Sequence, residues 1–487
     1  MEKLSKNIFS LSFGQAASFL TNFIAIVFAI RILGVENYGM FSSILAVVSI
    51  LSKLVDFGIE PIIFRELSKD NKSFHLFNSS LNLRFLLFVL LVIGYNLVAP
   101  FLNLTKNEIL LSNILFFTII FSAKTFVVRE LLSTPFKTNL KMHYPMILSL
   151  VDNLLLLALI VAIKFIKEPL IYFTIAYTVS NLPGFILSFY FLKKKFNYVY
   201  EFTFYNSKWL LKESLPMLGF VILTNIFLQI DIIILNSMKG SYEVGIYSAG
   251  VRLTMPLSII PNAIVMTIFP KLVQKLKDNE STEYLTNFVI KILLFISFSM
   301  AAVFSFESKE IVNLLFGKQY IASSLSASIL YWCQVFIFFS TYSLSFLIAS
   351  NNQKYNFIYS LIQVVVNVFL CIFLIPDYSY FGAAIAKLAA SFLSFIFVLI
   401  ALNKLNFQLS IGKPKLVLWL VLLSAILYII SSLPIYFYLV ISVIVIILIT
   451  LVTKYFEEKE LLIFFKLFKK EELGLKFIEL LNKKISF

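Results

Sequence analysis

The sequence predicts an all-α integral membrane protein of about fourteen transmembrane helices. Three observations carry that prediction. Hydrophobic residues make up 60% of the chain and charged residues only 14%. The mean hydropathy of +0.92 is far above what a soluble globular chain carries. The apolar runs reach the roughly 20 residues that a helix needs to cross hydrocarbon, and they do not alternate as β-barrel strands would.

In chain order, spans are predicted at 8–30, 40–63, 81–103, 109–132, 145–167 and 169–192. A second set follows at 214–236, 246–270, 286–306, 322–350, 357–377 and 380–402, and a final pair at 415–432 and 435–453. Lys3 and Lys6 precede a full-length apolar segment without a small-residue cleavage site, so the first span is expected to stay and act as its own signal. Most of the 41 Lys and Arg fall on one side of these spans when the amino terminus is inside, including Lys193, Lys194, Lys195, Lys271, Lys275 and Lys277. Both termini are therefore expected in the cytoplasm, in the cell (inner) membrane. The net charge of +15 is explained by that bias, and no nucleic-acid partner is needed.

Cys333 and Cys371 fall inside apolar spans and read as packing residues. His75 and His143 lie far apart with no cysteine or carboxylate at metal-ligand spacing, so no metal site is expected. Prolines 183, 256, 261 and 270 interrupt predicted spans and mark bends.

The stretch "GVENYGMFSS" (34–43) returns as "GSYEVGIYSA" (240–249). One spacing relates Gly34 to Gly240, Gly39 to Gly245, Phe41 to Tyr247 and Ser42 to Ser248. Each stretch is an outer turn between the first two spans of a six-span set. Six is even, so the sets are expected to be parallel repeats about an axis along the membrane normal. The domain reading is 1–192 for the first bundle, 193–213 for a cytoplasmic linker and 214–402 for the second bundle. Residues 415–453 hold helices 13 and 14, and 454–487 form an amphipathic cytoplasmic tail with Leu461, Phe465 and Phe468 at helical spacing.

The segment 214–270, "SLPMLGFVILTNIFLQIDIIILNSMKGSYEVGIYSAGVRLTMPLSIIPNAIVMTIFP", resembles the opening of the second half of the Wzx-type polysaccharide flippases, at Pro216, Asp231, Gly245, Tyr247, Ser248 and Pro270. These flippases belong to the multidrug, oligosaccharidyl-lipid, polysaccharide (MOP) superfamily. The segments 31–66, 314–320, 349–356 and 366–388 are similar to further parts of that family. The resemblance implies a MATE-like, V-shaped pair of six-helix bundles that opens alternately to each side. It implies a lipid-linked oligosaccharide as cargo, membrane lipids as neighbours, polysaccharide assembly proteins as a further class of partner, and no cofactor beyond a coupling H+ or Na+.

Seven charges lie deep in predicted spans: Lys53, Asp56, Lys124, Asp152, Asp231, Arg252 and Lys387. Each costs roughly 2.5–3.5 kcal/mol on insertion scales, so each is expected to face a cavity or a partner. The basic four, Lys53, Lys124, Arg252 and Lys387, are candidate ligands for a phosphate head, Arg252 through its planar fork. The acidic three, Asp56, Asp152 and Asp231, are candidates for ion coupling or for structural salt bridges. Lys53 and Asp56 stand three apart on one helix and can pair. Asp231 and Arg252 lie at similar depths on successive spans and can also pair. Lys124 can instead snorkel to the inner interface, while Lys387 has no partner at local spacing. Two other functions remain open: a MATE-like small-molecule exporter, and a membrane glycosyltransferase or polymerase. The enzyme reading is disfavoured by the shortness of the longest outer loop, 307–320, and by the lack of an aspartate-rich motif.

Overall fold

The computed structural model describes residues 2–460, apart from 70–73, 103, 279, 406, 408–412 and 458–459. The described residues contain helices and turns and no strand. Saturating the backbone within each helix is what hydrocarbon demands of a spanning chain. Ten helical segments among them are long and apolar enough to cross a membrane. The predicted all-α membrane architecture is therefore observed. The tail expected at 454–487 lies almost wholly outside the described residues.

The chain opens with α1 (Glu2–Asp56), two helical limbs that meet at Gly34, where φ is 77° and ψ 173°. The helices α2 (Glu60–Lys69) and α3 (Phe74–Val98) follow. The predicted span at 109–132 is not continuous. It is divided into α4 (Lys106–Phe116), α5 (Thr118–Phe121) and α6 (Val128–Thr138), with a 3-10 turn at Ala123–Thr125 between the last two. Next come α7 (His143–Val161), α8 (Pro169–Val179) and α9 (Leu182–Phe196), with Pro183 in the first turn of α9. The second half begins with α10 (Ser207–Lys239) and α11 (Ser241–Thr254), joined at Gly240. A 3-10 turn at Met255–Ser258 carries Pro256 and leads into α12 (Ile259–Lys277). The rest comprises α13 (Glu283–Phe306), α14 (Ser308–Phe316), α15 (Ser323–Ala349), α16 (Lys354–Lys404, kinked at Ser379), α17 (Lys413–Ile430) and α18 (Ile435–Val452).

Contacts group the chain into two compact units. The first comprises 1–259, 312–330 and 353–394, and the second 260–311, 331–352 and 395–487. In the second unit, α17 and α18 bury Trp419, Leu423 and Tyr438 against Ala302 and Val303 of α13. Trp419 donates to Thr450 Oγ1 at 3.1 Å and Tyr438 to the Val303 carbonyl at 3.1 Å, so the polar ends of both aromatics are satisfied.

In the first unit the repeated stretches meet each other. Gly240 has φ 86° and ψ 179°, matching Gly34, and both conformations favour glycine. A Cβ on Gly39 would stand 1.7 Å from the Ser241 carbonyl oxygen, and one on Gly245 would stand 2.0 Å from that of Val35. The spacing that relates Gly39 to Gly245 also relates Val35 to Ser241, so the contact is reciprocal. Small residues here let two helix backbones approach closely, the main source of helix association in lipid.

The obstructing atoms are backbone and cannot rotate away. Gly39→Ala and Gly245→Ala should each destabilise the protein by about 1–3 kcal/mol or more, read as a lower thermal unfolding temperature in detergent. Gly94→Ala, with nothing within 4 Å of its added Cβ, is the control and should leave that temperature unchanged or slightly raised. Equal behaviour of all three would exclude the close contact.

Candidate functional site

The same approach of α1 to α11 sets two cations near one aromatic group. Arg252 lies in the last turn of α11, and its Nε donates to the Tyr38 hydroxyl at 3.0 Å, one residue before Gly39. Its Nη1 meets the Met255 sulfur at 3.4 Å. Lys124, in the 3-10 turn between α5 and α6, holds its Nζ 5.0 Å over the Tyr177 ring. Phe41 packs edge-on against Tyr177 at 5.2 Å and Phe173 at 4.7 Å, which completes an aromatic wall. Lys124 lies within Coulombic range of Asp152 first, and then of Arg252 and Arg129.

Neither cation has a carboxylate within ion-pair distance among the described residues. The Lys124 Nζ is buried and makes no hydrogen bond to a described residue. A cation–π contact returns about 2 kcal/mol when desolvated, less than the several kcal/mol of removing an ammonium from water. An anion is one partner that would offset that deficit. Two buried hydroxyls, Ser42 and Ser248, occupy equivalent positions in the repeated stretches and are likewise without a hydrogen-bond partner among the described residues.

The other predicted site residues are engaged. Lys387 Nζ lies 2.7 Å from Asp231 Oδ2 and 3.3 Å from the Leu228 carbonyl, and 5.5 Å over the Phe227 ring. Asp231 also accepts from the Tyr247 hydroxyl, and its Oδ1 accepts from the Ile232 N–H at 3.0 Å. The local spacing showed no partner for Lys387, and the fold supplies one from α10. The pair weighed for Asp231 and Arg252 does not form, because Lys387 takes the carboxylate and Arg252 turns to Tyr38. Asp56 is taken by Arg84 Nη2 at 2.5 Å rather than by Lys53. Lys53 donates instead to the Thr125 carbonyl at 2.9 Å. Asp152 accepts from Arg129 and, at 3.0 Å, from the Gly184 N–H. A Cβ on Gly184 would stand 2.1 Å from Arg129 Nη2, so the glycine makes room for that pair.

Arg84 and Arg129 are the residues the sequence reading missed. Both stand near predicted inner span ends, where basic residues are expected, and so looked interfacial. Both are buried. Every residue of this site lies in the first unit.

The family model described as polysaccharide biosynthesis protein matches residues 4–276, more than half of the chain. The chain belongs to this family. The resemblance to Wzx-type flippases of the MOP superfamily, read from scattered residues, is thereby supported. The chain is 28% identical to the capsular polysaccharide biosynthesis protein CapF of Staphylococcus aureus over 34% of its own length and 42% of CapF. It is 24% identical to a putative O-antigen transporter of Shigella dysenteriae over 82% of this chain and all of that one. Among solved structures, the lipid II flippase MurJ in an inward closed conformation superposes with a TM-score of 0.74 at 16% identity, over 93% of this chain and 99% of MurJ. The Vibrio cholerae MATE transporter VcmN in its bent form gives 0.57 at 15% identity, over 84% and 99%. These two likenesses establish the MOP fold.

Removing one partner of a buried ion pair strands the other charge and costs about 3–5 kcal/mol. Lys387→Met should therefore lower thermal stability, and adding Asp231→Asn should recover most of the loss. A double variant as unstable as the single one would show that the stranded Asp231 charge is not the cause.

Proposed function

We propose that this protein is a flippase that moves an oligosaccharide linked to polyprenyl phosphate or diphosphate from the cytoplasmic to the outer leaflet by alternating access. The observation that carries this reading is the pair of cations, Lys124 and Arg252, placed beside aromatic rings without carboxylate partners. In hydrocarbon that arrangement suits a phosphate head, and the guanidinium can grip phosphate oxygens with two hydrogen bonds. Family membership and the name of the O-antigen relative support surface-polysaccharide assembly as the setting.

In this reading, 1–192 and 214–402 are parallel repeats with both termini cytoplasmic in the inner membrane. Lys124 and Arg252 are the proposed phosphate ligands. Lys53 and Lys387 influence the site through the Thr125 carbonyl and Asp231. Transport is coupled to an ion gradient at Asp231 or Asp152.

The first test is mass spectrometry of lipids from cells lacking the protein, with leaflet sidedness read by an impermeant sugar-oxidising probe. Accumulation of a polyprenyl-linked oligosaccharide shielded from the probe is expected. A normal lipid profile while the sugar pathway runs would sink the flippase reading and favour a small-molecule exporter. Lys124→Met and Arg252→Met should each reduce flipping on the order of tenfold, the loss of one charge-assisted hydrogen bond, with unchanged protein level. Asp231→Asn should abolish the pH dependence of transport, and an unaltered pH profile would remove Asp231 from coupling.

A further inference from the structure

The interruption of the fourth predicted span is built from named parts. Ser122 is extended (φ −92°, ψ 135°), Ala123–Thr125 form a 3-10 turn, Phe126 is left-handed (φ 56°, ψ 43°), and helix resumes at Val128. Irregular backbone at membrane depth persists only when its polar groups find partners within the protein or line a water-filled cavity.

Local side chains satisfy some of them. The Lys124 N–H donates to Ser122 Oγ at 3.1 Å, and Thr125 Oγ1 donates to the carbonyls of Thr118 and Ser122, both at 3.0 Å. Three cations from outside the turn take carbonyls flanking and within it. Lys53 of α1 donates to Thr125 at 2.9 Å, Arg84 of α3 to Val127 at 2.7 Å, and Arg129 of α6 to Phe121 at 3.4 Å. The two arginines are in turn anchored by Asp56 and Asp152. At the centre of this arrangement stands Lys124, whose own ammonium takes no carbonyl.

We propose that Lys53, Arg84 and Arg129 are positioning residues that hold the span open at 122–127 so that Lys124 is presented to the anion site beside Tyr177 and Arg252. This rests on the flippase reading for the role of Lys124, but the geometry of the interruption can be tested without it. A continuous helix would need none of the three cations for its carbonyls. Conversely, without Lys53 and Arg129 the Thr125 and Phe121 carbonyls would lose these partners, at up to about 1–3 kcal/mol each, and the backbone would be drawn back toward helix, whereas the Val127 carbonyl that Arg84 reaches also accepts from the Leu131 N–H at 3.1 Å. Lys53 is the sharpest probe of the three, because among the described residues it has no carboxylate partner within ion-pair distance whose charge its removal would strand.

The experiment uses the full-length protein in neutral detergent, with dodecyl phosphate as the probe and binding read by native mass spectrometry. Lys53→Met and Lys124→Met should each weaken binding on the order of tenfold. The double variant should bind no more weakly than Lys124→Met alone, and Lys53→Arg should restore binding. Additive losses would overturn the proposal by making Lys53 a direct ligand. Unchanged binding in Lys53→Met, with Lys124→Met impaired, would overturn it by making the interruption structural only.

A second readout is independent of the ligand. Lys124→Cys is introduced with Cys333→Ala and Cys371→Ala, and its labelling rate by a methanethiosulfonate reagent is measured with and without Lys53→Met. A several-fold change in rate is expected, and an unchanged rate overturns the positioning role. Unimpaired binding by Lys124→Met together with a changed labelling rate would count against the anion site while leaving the positioning geometry standing.

Discussion

The reciprocal contact of Gly39 with Ser241 and of Gly245 with Val35 is the constraint on which the candidate site depends. Lipid offers helices no hydrophobic drive to associate, so the gain must come from close packing. Backbone approach at this range is open only to glycine. Once it is made, the neighbours on each helix are fixed relative to one another. Tyr38, beside Gly39, meets Arg252, two turns along α11 from Gly245. Phe41, half a turn on, stacks its edge on Tyr177, the ring under Lys124. A symmetric backbone contact thus positions an asymmetric set of charges.

That asymmetry is chemical. The equivalents of Lys124 and Arg252 under the repeat spacing are Leu330 and Ala46, both buried and apolar. The first half concentrates its charges around the interrupted span, where two arginines serve carboxylates and carbonyls together. In the second half Asp231 pairs with Lys387, closed by Tyr247, and Lys291 pairs with Glu460 at 2.6 Å. Buried pairs of this kind contribute little net stability compared with apolar packing, because desolvation offsets their attraction.

Much of the fold was legible in the sequence because a membrane span needs only composition and length to be recognised. The kink at Gly34, the turn at Gly240 and the 3-10 turn at Pro256 stand where the sequence put them, whereas the second limb of α1 ends at Asp56, short of the predicted 63. Seven of the charged positions were legible too, since a charge deep in an apolar run draws notice, whereas Arg84 and Arg129, close to span ends, were not. Their partners were not, because pairing is set by tertiary contact: Asp231 and Lys387 are 156 positions apart, and Asp56 and Arg84 are 28 apart. The interruption at 122–127 was hidden for a different reason. Hydropathy sees an unbroken apolar run there, and only the cluster Ser122, Lys124, Thr125 hints that polar groups are serving the backbone.

In the proposed flippase, two cations without a carboxylate in ion-pair range would bear on how transport is driven. A ligand shifts a conformational equilibrium only by the difference in its affinity for the two states. Two like charges in a low-dielectric setting repel each other, and that repulsion falls when they separate or when solvent enters. With a phosphate between them, the same two charges are held together by their common partner. Loading and unloading would therefore favour different separations of the helices that carry them, the turn between α5 and α6 on one side and α11 on the other. In that proposal the anion would be both cargo and the ligand that selects between the two separations. The aromatic wall of Phe41, Phe173 and Tyr177 lowers the local dielectric and makes the difference between the two states larger.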